Sequence, residues 1–303
     1  MKFRLTFTKK YMRKFVVTST RISGINGKSY FHGAEIFEKD LRPGVADVLL
    51  GRGRIKEISV QRVIAPNEKI RLAIVTSIWK RHDIFELFAK GVKNLIEKCD
   101  QFEISVVVSG SEWIKSHDLV RVLHEFQYIE IPNEPLAAKV NATTYACKDL
   151  NVDYVLCVGS DDIISPELLN EYAIHMRNGI DFIGVTDCYF YDTVSKKSLY
   201  WGGYREPYRK GHTTGAFRAL SARLLSQWDW MPWENKDSLV LDKSMQDKLR
   251  VTNHTIHTFS MKEKGLFALD IKSSTNMTPF EKWDNAEFID SNELLKKFDY
   301  VWN

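Results

Sequence analysis

Tyr154-Val155-Leu156-Cys157-Val158-Gly159-Ser160-Asp161-Asp162 is the stretch on which the fold turns. A short apolar run ends abruptly in two adjacent carboxylates. The run is too short for a lone helix and reads as a buried strand. The acids then stand at the carboxyl end of that strand, where open α/β sheets bind ligands. Hard divalent cations take oxygen ligands, and an ion held by one or two carboxylates can carry phosphates as its remaining ligands. The stretch therefore predicts a site for a metal-bound diphosphate. The alternative is a helix cap, with Ser160, Asp161 or Asp162 capping a helix that begins near Pro166. The stretch alone does not separate the two.

The neighbouring sequence has the grammar of an α/β sheet. Ile70–Thr76 reads as an apolar strand and Asp83–Glu97 as a helix. Glu103–Val108 is a strand, His117–Glu125 helical and Tyr128–Ile131 a short strand. Leu136–Leu150 is a helix that leads into Tyr154–Val158. Strands alternating with helices at this spacing predict a largely parallel sheet. Beyond about residue 180 the pattern turns irregular, with Phe182–Cys188 and Ser198–Tyr204 as strands and Asn292–Tyr300 as a C-terminal helix.

Residues 1–64 read differently, as short strands at Phe3–Thr8, Lys14–Ile22, Lys28–Phe37, Ala46–Leu50 and Ile55–Val63. Turn signals at Gly24-Ile25-Asn26-Gly27 and Pro43-Gly44 separate them. The expected organisation is a small β-barrel or sandwich over 1–64, a linker over 65–69 and an α/β domain over 70–303. Net charge is +4, but residues 1–64 carry 14 Lys/Arg against 5 Asp/Glu, a net of +9, and the remainder is −5. A basic module on a mildly acidic body suggests a polyanionic partner for the module, or simply a solvated basic surface.

No apolar run approaches the roughly 20 residues needed to span a bilayer. The basic N-terminus, Met1–Phe7, is not followed by a long apolar segment and does not read as a secretory signal. Cys99, Cys147, Cys157 and Cys188 are widely spaced, which argues against a zinc site and against a disulfide scaffold. A reducing cytoplasm is the expected compartment.

Three features stand in order: Thr76-Ser77-Ile78-Trp79-Lys80-Arg81 after the first strand, Pro132-Asn133-Glu134-Pro135-Leu136-Ala137-Ala138-Lys139-Val140-Asn141 leading into a helix, and Gly159-Ser160-Asp161-Asp162. Over roughly residues 70–275 this order resembles the nucleotide-sugar domain of GT-A glycosyltransferases, particularly inverting family 2-like enzymes. The family pattern is usually Asp-x-Asp, and here Ser160 takes the first place. By resemblance, Asp162 is the metal ligand and Asp161 contacts sugar or ribose while standing close enough to share the metal. The ion would be Mn2+ or Mg2+. Thr76, Ser77 and Arg81 would hold base, ribose and phosphate, and Lys139 and Asn141 would contact uracil or ribose. The alternative for Lys139 and Asn141 is a solvated helix face, and for Arg81 an ordinary surface position. His257 is a further metal-ligand candidate, because family members recruit a late His. Lys272, in a segment that resembles the part closing over the diphosphate, would neutralise the leaving group, as lysine does for phosphates.

An inverting transfer needs a general base to take the acceptor proton opposite the leaving group. The resemblance points to a carboxylate well after the acidic motif, and Asp242 is favoured over Asp237 and Glu234. Gly211–Arg218 precedes an apolar helix over Ala219–Trp228 and resembles the segment lining the acceptor side. Trp201-Gly202-Gly203-Tyr204, Trp228, Trp230 and Trp233 offer flat faces for a sugar or base, or core packing.

The expected activity is metal-dependent inverting transfer from a nucleoside-diphosphate sugar, a UDP sugar by resemblance, to an acceptor hydroxyl. One acceptor that suits the basic module is hydroxymethylated cytosine in phage DNA, within an infected host's cytoplasm. Such binding to duplex DNA would be phosphate-driven and salt-sensitive. The alternatives are a polysaccharide or lipid-linked acceptor, a degenerate nucleotide-sugar and nucleic-acid binding protein, and a nucleotidyltransferase. The last is disfavoured because no glycine-rich triphosphate loop is present.

Overall fold

The computed structural model describes residues 14–58, 64–234, 241–274, 280–283 and 285–302, with the side chains of residues 26, 242 and 281 left aside. The chain forms two compact units, Met1–Val60 and Gln61–Asn303.

In the first unit, β1 (Lys14–Val17), β4 (Glu35–Phe37) and β5 (Ile55–Ile58) make a three-stranded antiparallel sheet with β1 in the middle. β2 (Arg21–Ser23) and β3 (Ser29–Phe31) pair as a ribbon. Phe15, Val17, Ile22, Ile36, Leu41, Ala46 and Ile55 fill its small core. The expected strand at Ala46–Leu50 is instead helix α1 (Val45–Gly51). A short apolar run fits either period. Here Gly44 takes φ 77 at the helix start and Asp47 falls in the first turn, where a negative charge favours the helix.

The larger unit is mixed α/β. Its main sheet has seven strands in the order β15-β11-β14-β9-β6-β7-β8. These are β6 (Ile70–Ser77), β7 (Phe102–Gly110), β8 (Gln127–Glu130), β9 (Tyr154–Cys157), β11 (Phe182–Val185), β14 (Arg218–Ser221) and β15 (Ile256–Phe259). Only β14 runs antiparallel to its neighbours. The expected parallel-rich sheet with flanking helices is therefore present. A second sheet, in the order β10-β16-β12-β13-β17, comprises β10 (Asp162–Ile164), β12 (Cys188–Asp192), β13 (Ser198–Trp201), β16 (Ala268–Lys272) and β17 (Glu287–Ile289).

The helices are α2 (His82–Lys98), α3 (Trp113–His117), α4 (Leu136–Ala146), α5 (Pro166–Arg177), α6 (Ala222–Gln227), α7 (Leu241–Val251), α8 (Met261–Lys264), α9 (Ser291–Leu295) and α10 (Asp299–Trp302). α2 buries Ile84, Phe85, Phe88, Ala89, Gly91, Val92 and Leu95, the stripe of an amphipathic helix. A Cβ on Gly91 would come within 2.9 Å of Ile163, so glycine lets β10 pass close beneath α2. No helix among the described residues is long and apolar enough to cross a membrane. All four cysteines are buried and free.

Several expected boundaries shift: the strand expected over Lys14–Ile22 divides into β1 and β2, that over Lys28–Phe37 into β3 and β4, and others lie in the larger unit. The helix expected from Ala219 begins at Ala222, because Arg218–Ser221 pairs with β9 as β14, and the Ser221 hydroxyl caps α6 by accepting from Leu224 N–H at 3.0 Å. The single strand expected over Phe182–Cys188 divides between the two sheets at Thr186 and Asp187. Asp187 turns inward and accepts from Tyr200 Oη, Ser260 Oγ and the N–H groups of Met261 and Lys262.

Candidate functional site

The carboxyl ends of β6 and β9 open into a cleft of about 290 Å³. Leu136, Val140 and Thr143, one face of α4 by their spacing, form one wall. Trp233 and Leu241 add apolar surface, and Gly215 and Ala216 bring backbone close. Thr76, Ser77, Arg81, Gly159 and Ser160 give the cleft its polar groups. The Thr76 hydroxyl is buried and has no hydrogen-bond partner among the described residues. An unsatisfied buried hydroxyl costs about 1–3 kcal/mol, so a ligand atom that met it would recover that cost. Ser77 Oγ is already joined to Ser109 Oγ at 2.7 Å.

At the polar end the chain leaves β9, turns through Val158–Asp161 and enters β10 at Asp162. The cap alternative is thereby overturned: Ser165 caps α5, its hydroxyl accepting from Leu168 N–H at 3.3 Å, and Asp162 is a strand residue. Asp162 Oδ2 accepts from Gly159 N–H at 2.7 Å. A Cβ at Gly159 would lie 2.5 Å from that same oxygen and 2.8 Å from Asp161 Oδ1, so the turn needs glycine for close approach. Asp161 forms an ion pair with Arg81, whose other terminal nitrogen donates to Ser160 Oγ at 3.2 Å.

β10 pairs antiparallel with β16, which sets Asp162 directly across from Asp270. Lys272 Nζ donates to Asp270 Oδ2 at 2.7 Å, while Asp270 Oδ1 is buried without a partner among the described residues. Burial, with Asp270 and Asp161 nearby, holds the Asp162 carboxyl well above the usual carboxylate range. Burial likewise pushes Asp270 up to about 6, against the pull of Lys272. Burial works against the Lys272 charge, but Asp270, Asp161 and Asp162 outweigh it and keep the ammonium above its ordinary value.

These carboxylates suit a hard divalent cation that takes one or two protein oxygens and completes its shell with phosphate and water. The unpartnered Asp270 Oδ1 and the crowding of like charge are what a cation would relieve. Among the described residues no group of three or more His, Cys, Asp or Glu is arranged to hold a metal ion. Asp161, Asp162 and His257 are thus not gathered into one such group. His257 stacks on His175 with ring centroids 3.7 Å apart, on edge strand β15.

The other expected residues divide. Arg81, Ser160, Thr76 and Ser77 line the cleft. Lys139 and Asn141 do not form a solvated helix face, because both are buried. Lys139 Nζ donates to the Ile78 carbonyl at 2.7 Å and to Asn133 Oδ1 at 3.1 Å, and burial lowers it to about 8. Asn141 bonds to the backbone of Trp233. Lys272 belongs to strand β16 rather than to a closing loop. Of the aromatic residues, Trp233 lines the cleft, whereas Trp228 and Trp230 fill core and Trp201 packs on Trp283 and Tyr204. Glu234 N–H donates to Ser244 Oγ at 3.2 Å. Asp242 falls in the first turn of α7 with its side chain outside the described residues, and Asp237 lies outside them altogether. Sequence reasoning missed Asp270 as a partner of Asp162, since strand alternation in Asp270-Ile271-Lys272 gives no sign of which strand lies alongside.

No family model matches this chain, and no curated protein matches it. Among solved structures it is similar to S. aureus TarS 1-349, at 15% identity and a TM-score of 0.46, covering 67% of this chain and 60% of that one. TarS 1-349 in complex with UDP-GlcNAc matches at 14% identity and a TM-score of 0.45, covering 77% and 65%. The mannosyltransferase PcManGT from Pyrobaculum calidifontis, in complex with GDP-Man and Mn2+, matches at 10% identity and a TM-score of 0.46, covering 73% and 61%. The chain spans under two thirds of the length of each of these structures.

Proposed function

We propose that the protein transfers a glycosyl group from a nucleoside-diphosphate sugar, with UDP as the nucleotide, to an acceptor hydroxyl with inversion. The observation that carries this reading is the cleft itself. Apolar walls from α4 and Trp233 and the unpartnered Thr76 hydroxyl suit a nucleoside, and Arg81 with the Asp161–Asp162 pair at the other end suits a diphosphate. An apolar cleft with a few convergent polar groups at one end is the usual form of a small-molecule site.

The acceptor oxygen attacks the anomeric carbon as the bond from that carbon to the phosphate oxygen breaks, and the electron pair leaves with the diphosphate. Asp242 takes the acceptor proton, with Asp237 and Glu234 as the other candidates. Arg81, released from Asp161, donates to phosphate oxygens where negative charge grows, which is where a preorganised donor does most for the rate. Lys272, paired with Asp270, adds positive charge beside the acids. Asp162 together with Asp161 would hold Mn2+ or Mg2+, which acts as a Lewis acid on the diphosphate. The +9 charge over residues 1–64 supports a polyanionic acceptor such as hydroxymethylated duplex DNA.

The test is nucleoside-diphosphate release from a panel of nucleotide sugars with Mn2+, with and without hydroxymethylcytosine DNA or oligosaccharide. Release from one donor that Arg81→Ala lowers at least tenfold supports the reading, a charge-assisted contact being worth about 1.5–3 kcal/mol. Asp242→Asn should bind the donor normally yet fail to transfer. Release of pyrophosphate from a nucleoside triphosphate, with no release from any sugar donor, would refute the proposal.

A further inference from the structure

The segment 229–234 carries one wall of the cleft and is held from two sides. Asn141 Oδ1 accepts from Trp233 N–H at 3.1 Å, and Asn141 Nδ2 donates to the Trp233 carbonyl at 2.8 Å. One turn on, Thr144 Oγ1 donates to the Trp230 carbonyl at 2.8 Å. From α7, Ser244 Oγ accepts from Glu234 N–H, and Lys248 Nζ donates to the Met231 carbonyl. The segment is not one the backbone adopts unaided. Asp229 and Trp230 have φ values of 54 and 61, left-handed conformations that cost L-residues roughly 1–2 kcal/mol each.

Asn141 differs from the other ties in what it joins. It sits on α4 between Val140 and Thr143, which line the cleft, and it grips Trp233, which lines the cleft as well. Both polar groups of one planar amide meet both backbone groups of one residue. That fixes the distance of Trp233 from α4 and its rotation about the contact. Thr144 holds Trp230, which belongs to the same core cluster as Trp233 but does not line the cleft.

We infer that Asn141 is a positioning residue that sets where Trp233 stands beside α4 at the nucleoside end, and through Trp233 determines which base the cleft accepts. The inference rests on the nucleotide reading of the cleft. The planar amide acts on a ligand it does not touch. Without it Trp233 drifts relative to α4, and the cleft loses both its grip on the preferred base and its discrimination against others. A residue that only stabilised the fold would lower the folded fraction and leave the ratio of affinities unchanged.

The experiment is calorimetric titration of UDP, CDP, GDP and ADP into the full chain and into Asn141→Leu, Thr144→Val, Trp233→Ala and the Asn141→Leu/Trp233→Ala double variant. Losing two buried hydrogen bonds from the wall should weaken the preferred nucleotide about tenfold. The preferred-to-worst affinity ratio should narrow by a similar factor. Thr144→Val should leave that ratio as it was. In the Trp233→Ala background, Asn141→Leu should add less than a twofold change, because its effect runs through the indole. If Asn141→Leu does not fold, Asn141→Asp, which keeps the acceptor for Trp233 N–H, serves the same comparison. An unchanged ratio in the Asn141 variant, an equal narrowing in Thr144→Val, or full additivity in the double variant overturns the role of Asn141 alone. Failure of the unsubstituted protein to bind any of the four nucleotides overturns the nucleotide reading as well.

Discussion

Asp270 should make the fold weaker as pH rises, and its replacement by asparagine should remove that weakness. Its folded value is raised from an ordinary 3.8 to about 6, chiefly by burial. A carboxyl whose folded value lies above its unfolded value takes up a proton on folding. Its contribution is most favourable below about 3.8 and declines until pH has passed about 6. At about 1.4 kcal/mol per pH unit, that displacement amounts to about 3 kcal/mol over the whole window, roughly half of it between pH 5 and pH 8. The carboxylate is mostly buried, with 18% of its side chain exposed, so solvent screening takes only a modest share. His124, His212 and His257, all lowered mainly by burial, oppose this trend as pH falls through 6.5. The difference between Asp270→Asn and the unsubstituted protein isolates the effect. Urea unfolding should be followed at half-unit steps from pH 4 to pH 8, with a chelator present so that no cation occupies the acids. Whatever its offset at pH 4, the variant should gain about 2 kcal/mol relative to the unsubstituted protein by pH 8. Loss of the Asp270 charge also eases ionisation of Asp162, which acts in the same direction. Parallel stability curves for the two proteins would show that Asp270 does not take up a proton on folding.

Asp181 should behave in the opposite sense. Burial would raise it, but Arg223, Thr255 N–H and Ser221 more than offset that and hold it below the usual range. Its contribution is therefore present above pH 3.8 and lost as pH falls through the folded value. Asp181→Asn should cost about 3–5 kcal/mol in urea unfolding at pH 7, because it removes the buried carboxylate that Arg223 pairs with. The four thiols should resist iodoacetamide at pH 8 in the native protein and all react in urea, since burial pushes Cys99 up to about 11 and Cys147 and Cys157 up to about 12. Mass spectrometry of the alkylated chain reads this directly. Gly159→Ala should disturb the acidic turn, its Cβ meeting Asp162 Oδ2, and should weaken binding of a nucleoside diphosphate more than it lowers Tm.

From Ile70 to Val158 the order of strands and helices was legible in the amino-acid sequence, as was the place of the acids after β9; strand β10 was not. These are local properties, because hydrophobic period and turn residues act over a few neighbours. It misread Ala46–Leu50, where an apolar run without a clear period fits strand or helix and its surroundings decide. It also named Thr76, Ser77, Arg81 and Ser160, which do line one cleft. The roles of the remaining residues follow from packing and strand register. Lys139 and Asn141 look like exposed polar positions on a helix, yet packing buries both and turns them toward backbone groups of Ile78 and Trp233. Asp270 acquires its meaning from the β10–β16 register, which sets it across from Asp162. Such pairings join residues far apart in the chain through geometry that no local pattern encodes, and burial then fixes their charge by removing the water that would have masked it.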